Sequence, residues 1–381
     1  MKSVYMDNAA TTPVLKEAFD SMQEYFMQQY ANPSSAYDFA QKSRNAIDTA
    51  RKQVSDLIGA QKDEIYFTSG GSEADNWAIK GAADFFRDKK RNKIVTTPIE
   101  HHAVLNTVEF LTKYGFDVEY IPVNENGIVD LQKAEKIIDD NTAIVSVMLA
   151  NNETGALQPV KEIAVMAHNK GAYFHTDAVQ AAGHIKIDVK DIMCDMLSVS
   201  GHKFGAPKGI GFLYKKNGIE ISNLIHGGSQ EKGLRAGTEN VPYIVALGTA
   251  CRLASLNLEE EYNKTKSLRD FFENMVLNSV PNTVLNGPKE NRLPGTSNIS
   301  FLGLSGKSIV SALSSKGICV SSQSACASKS DSISHVLKAM GLKNDVIRGA
   351  VRFTVSNRNT KEEVIYTAQT LEKIIKTLRS F

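Results

Sequence analysis

The chain reads MLSVSGHKFGAPKGIG from residue 196 to residue 211. Its first five residues are apolar or small, and a loop rich in glycine and proline follows them directly. A short run that ends at turn residues is typical of a strand buried in a parallel sheet. Polar side chains just beyond such a strand lie where open α/β sheets bind their ligands. The stretch therefore predicts an α/β fold and draws attention to Lys203.

The same pattern recurs upstream, where short β-branched runs alternate with longer segments of helical spacing. The strand-like runs cover residues 64–68, 93–97, 117–123, 142–149 and 173–178. The helical segments between them cover residues 74–86, 103–114, 131–138 and 160–169. Such alternation predicts a mostly parallel sheet between two layers of helices.

After residue 216 the pattern changes to a polar, glycine-rich segment, HGGSQEKGLRAGTEN. A helix is expected from 241 to about 255, and the charged stretch 256–275 leads away from the sheet. The strand-like runs SNISFLGL and RFTVS, with two helical runs, predict a smaller α+β domain. We therefore expect a large domain over 15–255. The expected small domain combines 1–14 with 256–381 and carries a loop at about 321–332.

Composition and charge exclude several classes of protein. Hydrophobic residues make up 42% of the 381, and 44 basic side chains nearly balance 42 acidic ones. This balance gives no general attraction to nucleic acid or to an anionic membrane. The four cysteines are scattered and resemble neither a disulfide framework nor a metal site. With no signal peptide and no apolar run of about twenty residues, we expect a cytoplasmic protein.

The first polar cluster at a predicted strand end is TSGGSEADN, residues 68–76. Glycines turn the chain into a helix, so the N–H groups of Gly71 and Ser72 and the Ser72 hydroxyl suit a phosphate. An ordinary tight turn with Ser72 as the helix N-cap explains the same residues.

The second cluster is YFHTDAVQ, in which Asp177 follows a strand and Gln180 comes three residues later. A buried aspartate needs a cationic or hydrogen-bonding partner, and a protonated heterocyclic nitrogen would be one. The alternative is that Asp177 caps a helix beginning at Ala178.

The third cluster is the loop of the opening stretch. Lys203 there can form a Schiff base, the bond that holds pyridoxal phosphate, while Ser200 and His202 can donate to a phosphate. A solvated surface lysine is the alternative. A phosphate turn, an acid at a strand end and a lysine at the next strand end together form one set for binding pyridoxal phosphate.

The chain resembles the NifS/IscS-type cysteine desulfurases, class-V aminotransferase-like pyridoxal phosphate enzymes of fold type I, along almost its whole length. The stretches that carry the resemblance are YMDNAATTP, NPSS, TSGGSEADN, EHHAV, NNETGALQPV, HTDAVQ, SGHKFGAPKGIG, HGGSQEKGLRAGTEN and SSQSACAS. The SACAS form of the cysteine loop is similar to the first group of that family. The implied fold is a large domain with a mostly parallel sheet between helices and a smaller α+β domain.

For the cofactor, the resemblance implies that Lys203 is the Schiff-base lysine. Asp177 would pair with the pyridine nitrogen and Gln180 with the phenolic oxygen. His101 would stack on the ring and is a candidate proton donor or acceptor. The residues implied to bind phosphate or line the ring are Gly71, Ser72, Ser200, His202 and Asn152.

For the reaction, the resemblance implies that Arg352 binds the carboxylate of L-cysteine and Asn152 lines the substrate side. Cys326 would take the sulfur as a persulfide and release L-alanine, and its small, polar loop is expected to be mobile. Thr238 would reach the phosphate of the neighbouring subunit, which implies a homodimer. The sulfur would pass to an acceptor protein, for iron–sulfur cluster assembly or tRNA thiolation.

Other functions fit parts of the pattern. A selenocysteine lyase or an aminotransferase would share the cofactor residues, although an aminotransferase has no use for Cys326. A scaffold protein without activity would share the fold but has no need of Lys203, Asp177 and Cys326 together.

Overall fold

The computed structural model of the protein describes residues 3–322 and 333–380, which contain twelve strands and twelve α-helices. The strands are β1 (Val4–Tyr5), β2 (Ile65–Thr68), β3 (Lys93–Thr96), β4 (Asp117–Tyr120), β5 (Thr142–Ser146), β6 (Tyr173–Asp177), β7 (Met196–Ser200), β8 (Gly211–Lys215), β9 (Thr283–Asn286), β10 (Thr296–Phe301), β11 (Ile318–Cys319) and β12 (Ala350–Thr354). The helices are α1 (Lys16–Met22), α2 (Glu24–Met27), α3 (Gln41–Ile58), α4 (Gly71–Arg87), α5 (His102–Thr112), α6 (Leu131–Ile137), α7 (Val160–Asn169), α8 (Val241–Ser279), α9 (Gly306–Ser314), α10 (His335–Ala339), α11 (Asn344–Arg348) and α12 (Lys361–Leu378).

The central sheet has seven strands in the order β2-β8-β7-β6-β5-β3-β4. The strands from β7 to β4 pair in parallel, whereas β8 runs antiparallel to both of its neighbours. Neighbouring residues of a strand face opposite sides of the sheet, and the core divides accordingly. Ile144 packs in one cluster with α4 and α5, while Val145 packs in another with α3 and α7. The predicted parallel sheet between helical layers is confirmed.

Two predicted strands are shorter than expected. The runs 117–123 and 142–149 end as strands at Tyr120 and Ser146. After Ser146 the Met148 N–H donates to the Glu100 carboxylate at 3.0 Å, while the Val147 and Leu149 N–H groups still donate to β6. The side chain of a distant residue therefore replaces the backbone partner on one side of the chain beyond β5.

A smaller antiparallel sheet, β12-β10-β9, has its own core. Its apolar residues include Phe272, Phe301 and Phe353, which are fully buried. The short strand β1 pairs in parallel with β11 beside this core. The N-terminal segment thus packs with the C-terminal part of the chain.

Helix α8 is one continuous helix of 39 residues, which crosses the predicted domain boundary at residue 255. It contains a stretch of mean hydropathy 1.3, so by length and composition it could cross a membrane. The expectation that no run of the chain is apolar enough to span a bilayer is therefore wrong. Ile244, Leu247 and Ala250 of this helix are buried in the core cluster that also contains Val54 of α3. Packing in a protein core accounts for these apolar residues without a membrane.

Candidate active site

A cleft of about 820 Å³, part of it open to solvent, lies at the carboxyl ends of β6 and β7. Parallel strands end at one edge of the sheet, and this brings Asp177 of β6 close to Ser200 of β7. The N-terminus of α4 and residue Arg352 of β12 complete the walls. The structure places ten of the predicted residues here: Gly71, Ser72, His101, Asn152, Asp177, Gln180, Ser200, His202, Lys203 and Arg352.

One end of the cleft is built to receive an anion. Helix α4 begins there with Gly71, where an added Cβ would lie 2.6 Å from a methyl carbon of Val179. A side chain at this position would displace Val179, and Gly71 and Ser72 of the first turn line the cleft with Ser200. The first turn of a helix has free backbone N–H groups, which suit an anion. The N-cap is Gly70, so the alternative that Ser72 caps the helix is wrong.

His202 stands at the same end as a neutral imidazole. Its Nδ1 lies 3.0 Å from the Thr11 hydroxyl oxygen. Burial, followed by the charge of Lys203, lowers the pKa of His202 to about 4. The ring therefore offers hydrogen bonds at neutral pH without adding a second positive charge beside Lys203.

Asp177 is a buried carboxylate at the floor of the cleft. One of its oxygens accepts a hydrogen bond from the Val179 N–H at 2.8 Å. Burial raises its pKa to about 6, and the Val179 N–H and the positive charge of Lys203 oppose that rise. The alternative of a helix beginning at Ala178 is wrong, because residues 179–184 form hydrogen-bonded turns. Asp177 is thus largely ionised at neutral pH although it is buried.

Lys203 follows β7 in a single 3₁₀ turn, and its ammonium group points back to the N-terminal segment. The Nζ atom donates to the carbonyl oxygens of Ala9 at 2.7 Å and Ala10 at 3.0 Å. Gln180 donates its amide to the same Ala9 oxygen at 3.0 Å. The stretch MDNAATT, which precedes α1 in the chain, therefore orients both side chains.

His101 both caps a helix and lines the cleft. It is the N-cap of α5, where its Nδ1 accepts from the Ala103 N–H at 3.1 Å, and it also lines the cleft. Burial, followed by the charge of Lys203, lowers the pKa of His101 to about 4. A neutral ring whose Nδ1 is an acceptor carries its proton on Nε2. His101 can therefore donate from Nε2 at neutral pH.

The opposite end of the cleft is formed by Arg352, whose side chain is only 2% exposed. It donates to the Asn152 carbonyl oxygen at 2.9 Å and to one oxygen of Asp7 at 2.8 Å. The second oxygen of Asp7 accepts from the Ser321 hydroxyl at 2.8 Å. A planar guanidinium held in this way keeps a fixed orientation, which suits recognition of a carboxylate.

Two predicted residues remain, Thr238 and Cys326. Thr238 is exposed and lines a separate pocket that also contains Thr68 and Gly209. Cys326 lies outside the described residues, as does most of the loop 321–332, so the expected mobility of that loop stays a prediction.

Sequence reasoning missed three acids that matter to the site: Asp7, Asp75 and Glu100. Asp75 lies in the quoted cluster TSGGSEADN, three residues after Ser72, and residues three apart share a helix face. That spacing could have identified it. Asp7 and Glu100 occur in the quoted stretches YMDNAATTP and EHHAV, but no spacing signal connects them to Arg352 or Met148.

The cleft also contains polar atoms that suit a bound ligand. Asp75 Oδ1, Asn152 Oδ1 and Arg352 Nε are buried and have no hydrogen-bond partner among the described residues. Unpaired polar atoms are costly in a folded protein, and a ligand that pairs with them recovers that free energy. The hydrogen-bond donors at one end of the cleft suit a phosphate, and the Arg352 guanidinium at the other end suits a carboxylate. A ligand that carries both groups therefore fits the cleft.

Comparisons with known proteins give a consistent result. The model of the aminotransferase class-V family matches residues 4–366. The cysteine desulfurase IscS of Clostridium botulinum is 49% identical over 380 residues, which cover 99% of this chain and 96% of that protein. Among solved structures, a NifS-like protein is 38% identical with a TM-score of 0.92, covering 98% of this chain and 100% of that one. A structure of SspA in complex with cysteine is 37% identical with a TM-score of 0.83, covering 94% and 100%.

Proposed function

Since the chain belongs to the class-V aminotransferase family, we propose that it is a cysteine desulfurase dependent on pyridoxal phosphate. The enzyme converts L-cysteine to L-alanine and leaves the sulfur as a persulfide on Cys326. The observation that carries this proposal is that Lys203 and the buried Asp177 line one cleft with Arg352. The Lys203 amine can bond the aldehyde of the cofactor, and Asp177 can pair with its ring nitrogen. The Arg352 guanidinium can bind the carboxylate of the substrate in the same cleft.

The residues present fit pyridoxal phosphate. Gly71, Ser72, Ser200 and His202 would hold its phosphate, and Asp177 would hold its ring nitrogen. When bound, the cofactor supplies an aldehyde that the Lys203 amine bonds and a ring that stabilises negative charge on the substrate. The orphaned Asn152 oxygen and Arg352 Nε would find partners on the substrate side.

The protein's own residues then perform the proton and positioning steps. Arg352, fixed by Asp7 and the Asn152 carbonyl, would grip the carboxylate of L-cysteine. The Lys203 amine, once released from the cofactor, would take the α-proton of the substrate as a general base. Asp177 would keep the ring nitrogen protonated through its negative charge.

His101 is better placed to donate a proton than to accept one. Its Nδ1 is engaged by the Ala103 N–H and its proton lies on Nε2, so the edge away from the backbone is a donor. A hydrogen bond from Nε2 to a developing anion on cofactor or substrate is the role that this geometry supports.

Cys326 is proposed as the sulfur acceptor on the resemblance alone, since it lies outside the described residues. Its thiolate attacks the substrate sulfur, a sulfur–sulfur bond forms, and the bond from sulfur to the substrate Cβ breaks. The electron pair of the broken bond stays on the three-carbon fragment, which takes protons and leaves as L-alanine. No external oxidant or reductant is needed.

A homodimer is proposed from the surface of residues 19–39. Six large apolar side chains there are exposed: Phe19, Phe26, Met27, Tyr30, Tyr37 and Phe39. A monomeric soluble protein rarely leaves so much apolar surface uncovered. Thr238 is likewise exposed, as expected if it completes the phosphate site of the neighbouring subunit.

The persulfide would pass to an acceptor protein, for iron–sulfur cluster assembly or tRNA thiolation, and the enzyme would work in the cytoplasm. We also propose the domain division at about residue 255. The near-neutral charge gives no support to direct nucleic-acid binding.

The experiment compares wild type with Cys326→Ala and, as a matched control, Cys319→Ala, each supplied with L-cysteine. Alanine and protein-bound persulfide are measured. Wild type and Cys319→Ala should form both, whereas Cys326→Ala should form neither above background. Alanine formation by Cys326→Ala at the wild-type rate would contradict the proposal. Activity on selenocysteine with none on L-cysteine would identify a selenocysteine lyase instead.

A further inference from the structure

A buried acid, Asp75, lines the cleft but has no role in the reaction described above. It is in the second turn of α4 and is 1% exposed. Its Oδ1 atom has no hydrogen-bond partner within residues 3–322 and 333–380. An ionised carboxylate in that position would be expensive, because a buried charge needs donors on both oxygens.

Asp75 terminates a short chain of buried polar groups. The Ser146 hydroxyl lies 2.9 Å from His175 Nδ1, and His175 Nε2 lies 2.9 Å from the Ser198 hydroxyl. Ser198 in turn hydrogen-bonds to the Asp75 carboxyl. All three partners are fully buried residues of β5, β6 and β7, so the chain runs across neighbouring strands to Asp75 without contact with solvent.

Other acids surround Asp75 from the neighbouring elements. Asp177 at the end of β6 and Glu100 before α5 both add negative potential at Asp75, after burial as the main effect, and together they raise its pKa well above the ordinary value. Two carboxylates that share a water-poor pocket cannot both ionise readily, and they titrate as a pair. Only one of the two cleft acids, Asp75 or Asp177, is therefore expected to hold the charge.

The hydrogen bonds decide which acid that is. Asp177 has a backbone N–H donor at 2.8 Å and the positive charge of Lys203 nearby. Asp75 has the Ser198 hydroxyl and one oxygen without a partner among the described residues. Donors and cations stabilise the ionised form, so the negative charge belongs on Asp177.

We propose that Asp75 holds a proton at neutral pH and leaves Asp177 as the single negative charge facing the cofactor ring. Asp75 is then a positioning residue, which acts on the ring nitrogen through Asp177 and does not touch the substrate. The inference rests on the proposed function for its meaning, but the location of the proton can be measured without any turnover.

A rival arrangement would place the proton on His175 and form an ion pair with Asp75. His175 Nε2 lies 3.6 Å from Asp75 Oδ1, so the two could interact. Both ring nitrogens are already occupied by serine hydroxyls, however, and burial lowers the pKa of His175 to about 3. The neutral ring fits these contacts.

The test is infrared spectroscopy of the holoenzyme at neutral pH, since a protonated carboxylic acid has a carbonyl band apart from the amide bands. Wild type is compared with Asp75→Asn and, as a matched buried acid, Glu100→Gln. Asp75→Asn should remove one acid component completely, and Glu100→Gln should remove a different one.

An unchanged acid band in Asp75→Asn would overturn the proposal. If Asp75→Asn does not fold, Ser198→Ala provides the test. Loss of the hydroxyl donor should shift the Asp75 band to higher wavenumber, and an unshifted band would contradict the assignment.

A second measurement connects the proton to the cofactor. The pH midpoint of cofactor absorbance should be the same in Asp75→Asn as in wild type, because an amide and a neutral acid carry the same charge. A tenfold change in the proton concentration at the midpoint would mean that Asp75 is ionised in wild type. An enzyme that shows the expected bands but no desulfurase activity would contradict the proposed function and leave this inference standing.

Discussion

The two ends of the cleft stabilise charge in different ways. At the Arg352 end, opposite charges are paired, since Asp7 bonds both Arg352 and Ser321 at 2.8 Å. At the Asp177 end, three acids lie near one another, and the pKa values of Asp75, Glu100 and Asp177 are all raised, mainly by burial. The ion pair holds the Arg352 side chain in a fixed orientation, whereas the three neighbouring acids determine how many of them keep a proton. We infer that substrate orientation depends on the first end and cofactor protonation on the second.

The largest effect is expected from Lys203→Ala, which removes the amine that serves both the cofactor and the substrate proton. General acid–base catalysis alone contributes about 10²–10⁴-fold, so alanine formation should fall by at least about a thousandfold. Cofactor absorbance from the lysine bond should disappear as well. The matched control is Lys208→Ala, an exposed lysine of the same loop, which should retain activity. A Lys203→Ala enzyme with near-normal turnover would contradict the assignment.

Arg352→Lys tests the paired end, because it keeps the positive charge and removes the planar fork. Hydrogen bonds to charged groups contribute about 1.5–3 kcal/mol, and about 1.4 kcal/mol corresponds to a factor of ten. We expect kcat/KM for L-cysteine to fall about 10- to 100-fold, mainly through KM. Arg348→Lys, an exposed arginine outside the cleft, is the control and should change little. An unaltered KM in Arg352→Lys would remove Arg352 from substrate binding.

Glu100→Gln tests the crowded end through stability. Burial raises the pKa of Glu100 from 4.5 to about 8, although the Thr97 hydroxyl and the Met148 N–H oppose the rise. A raised pKa means that the folded protein binds the proton more tightly, so this contribution to stability is complete below pH 4.5 and is lost as pH rises through about 8. Between acid and neutral pH the free energy of unfolding of the wild type should fall by about 3 kcal/mol through this group. Glu100→Gln should not show this fall. Denaturant unfolding of both proteins across this range measures the difference, and parallel pH profiles would contradict a buried neutral Glu100.

Asp7→Asn should have the smallest effect. The amide keeps one acceptor for Arg352 but loses the charge, and neutral hydrogen bonds contribute only about 1 kcal/mol. KM for L-cysteine should rise less than about tenfold while kcat stays near the wild-type value. Ser321→Ala, which leaves the bond between Asp7 and Arg352 intact, is the matched control. A larger loss in Ser321→Ala than in Asp7→Asn would mean that Asp7 does not act through Arg352.

The layout of the fold could be predicted from the sequence because the polar residues of the site lie at the ends of apolar strands. Asp177, Ser200 and Lys203 all follow apolar runs, and parallel strands bring such ends to one edge. The antiparallel strand β8 was not assigned, because GFLYK lies directly after a Gly-rich loop with no helix between. The alternative of a helix beginning at Ala178 was wrong because a capping aspartate fits a turn as well as a helix.

Features that depend on distant contacts were not predictable from local pattern. Just beyond β5 the Met148 N–H is paired by the Glu100 side chain, and Lys203 is oriented by Ala9 and Ala10 in a segment far away in sequence. Helix α8 extends on both sides of residue 255, because its first half is buried in the core of the large sheet and its second half, with Phe272 and Val276, in the core of the smaller sheet. A buried polar residue such as Asp75, whose Oδ1 has no partner among the described residues, looks like an ordinary helix-surface residue in the sequence.

The central claim is that the cleft releases sulfur from L-cysteine for Cys326. The direct measurement is a single turnover of the holoenzyme with sulfur-labelled L-cysteine, followed by identification of the labelled peptide. We predict one labelled sulfur on Cys326 for each alanine formed, and none of either in Lys203→Ala. Alanine formed in equal amount with the label released to solution or bound at another residue would contradict the account.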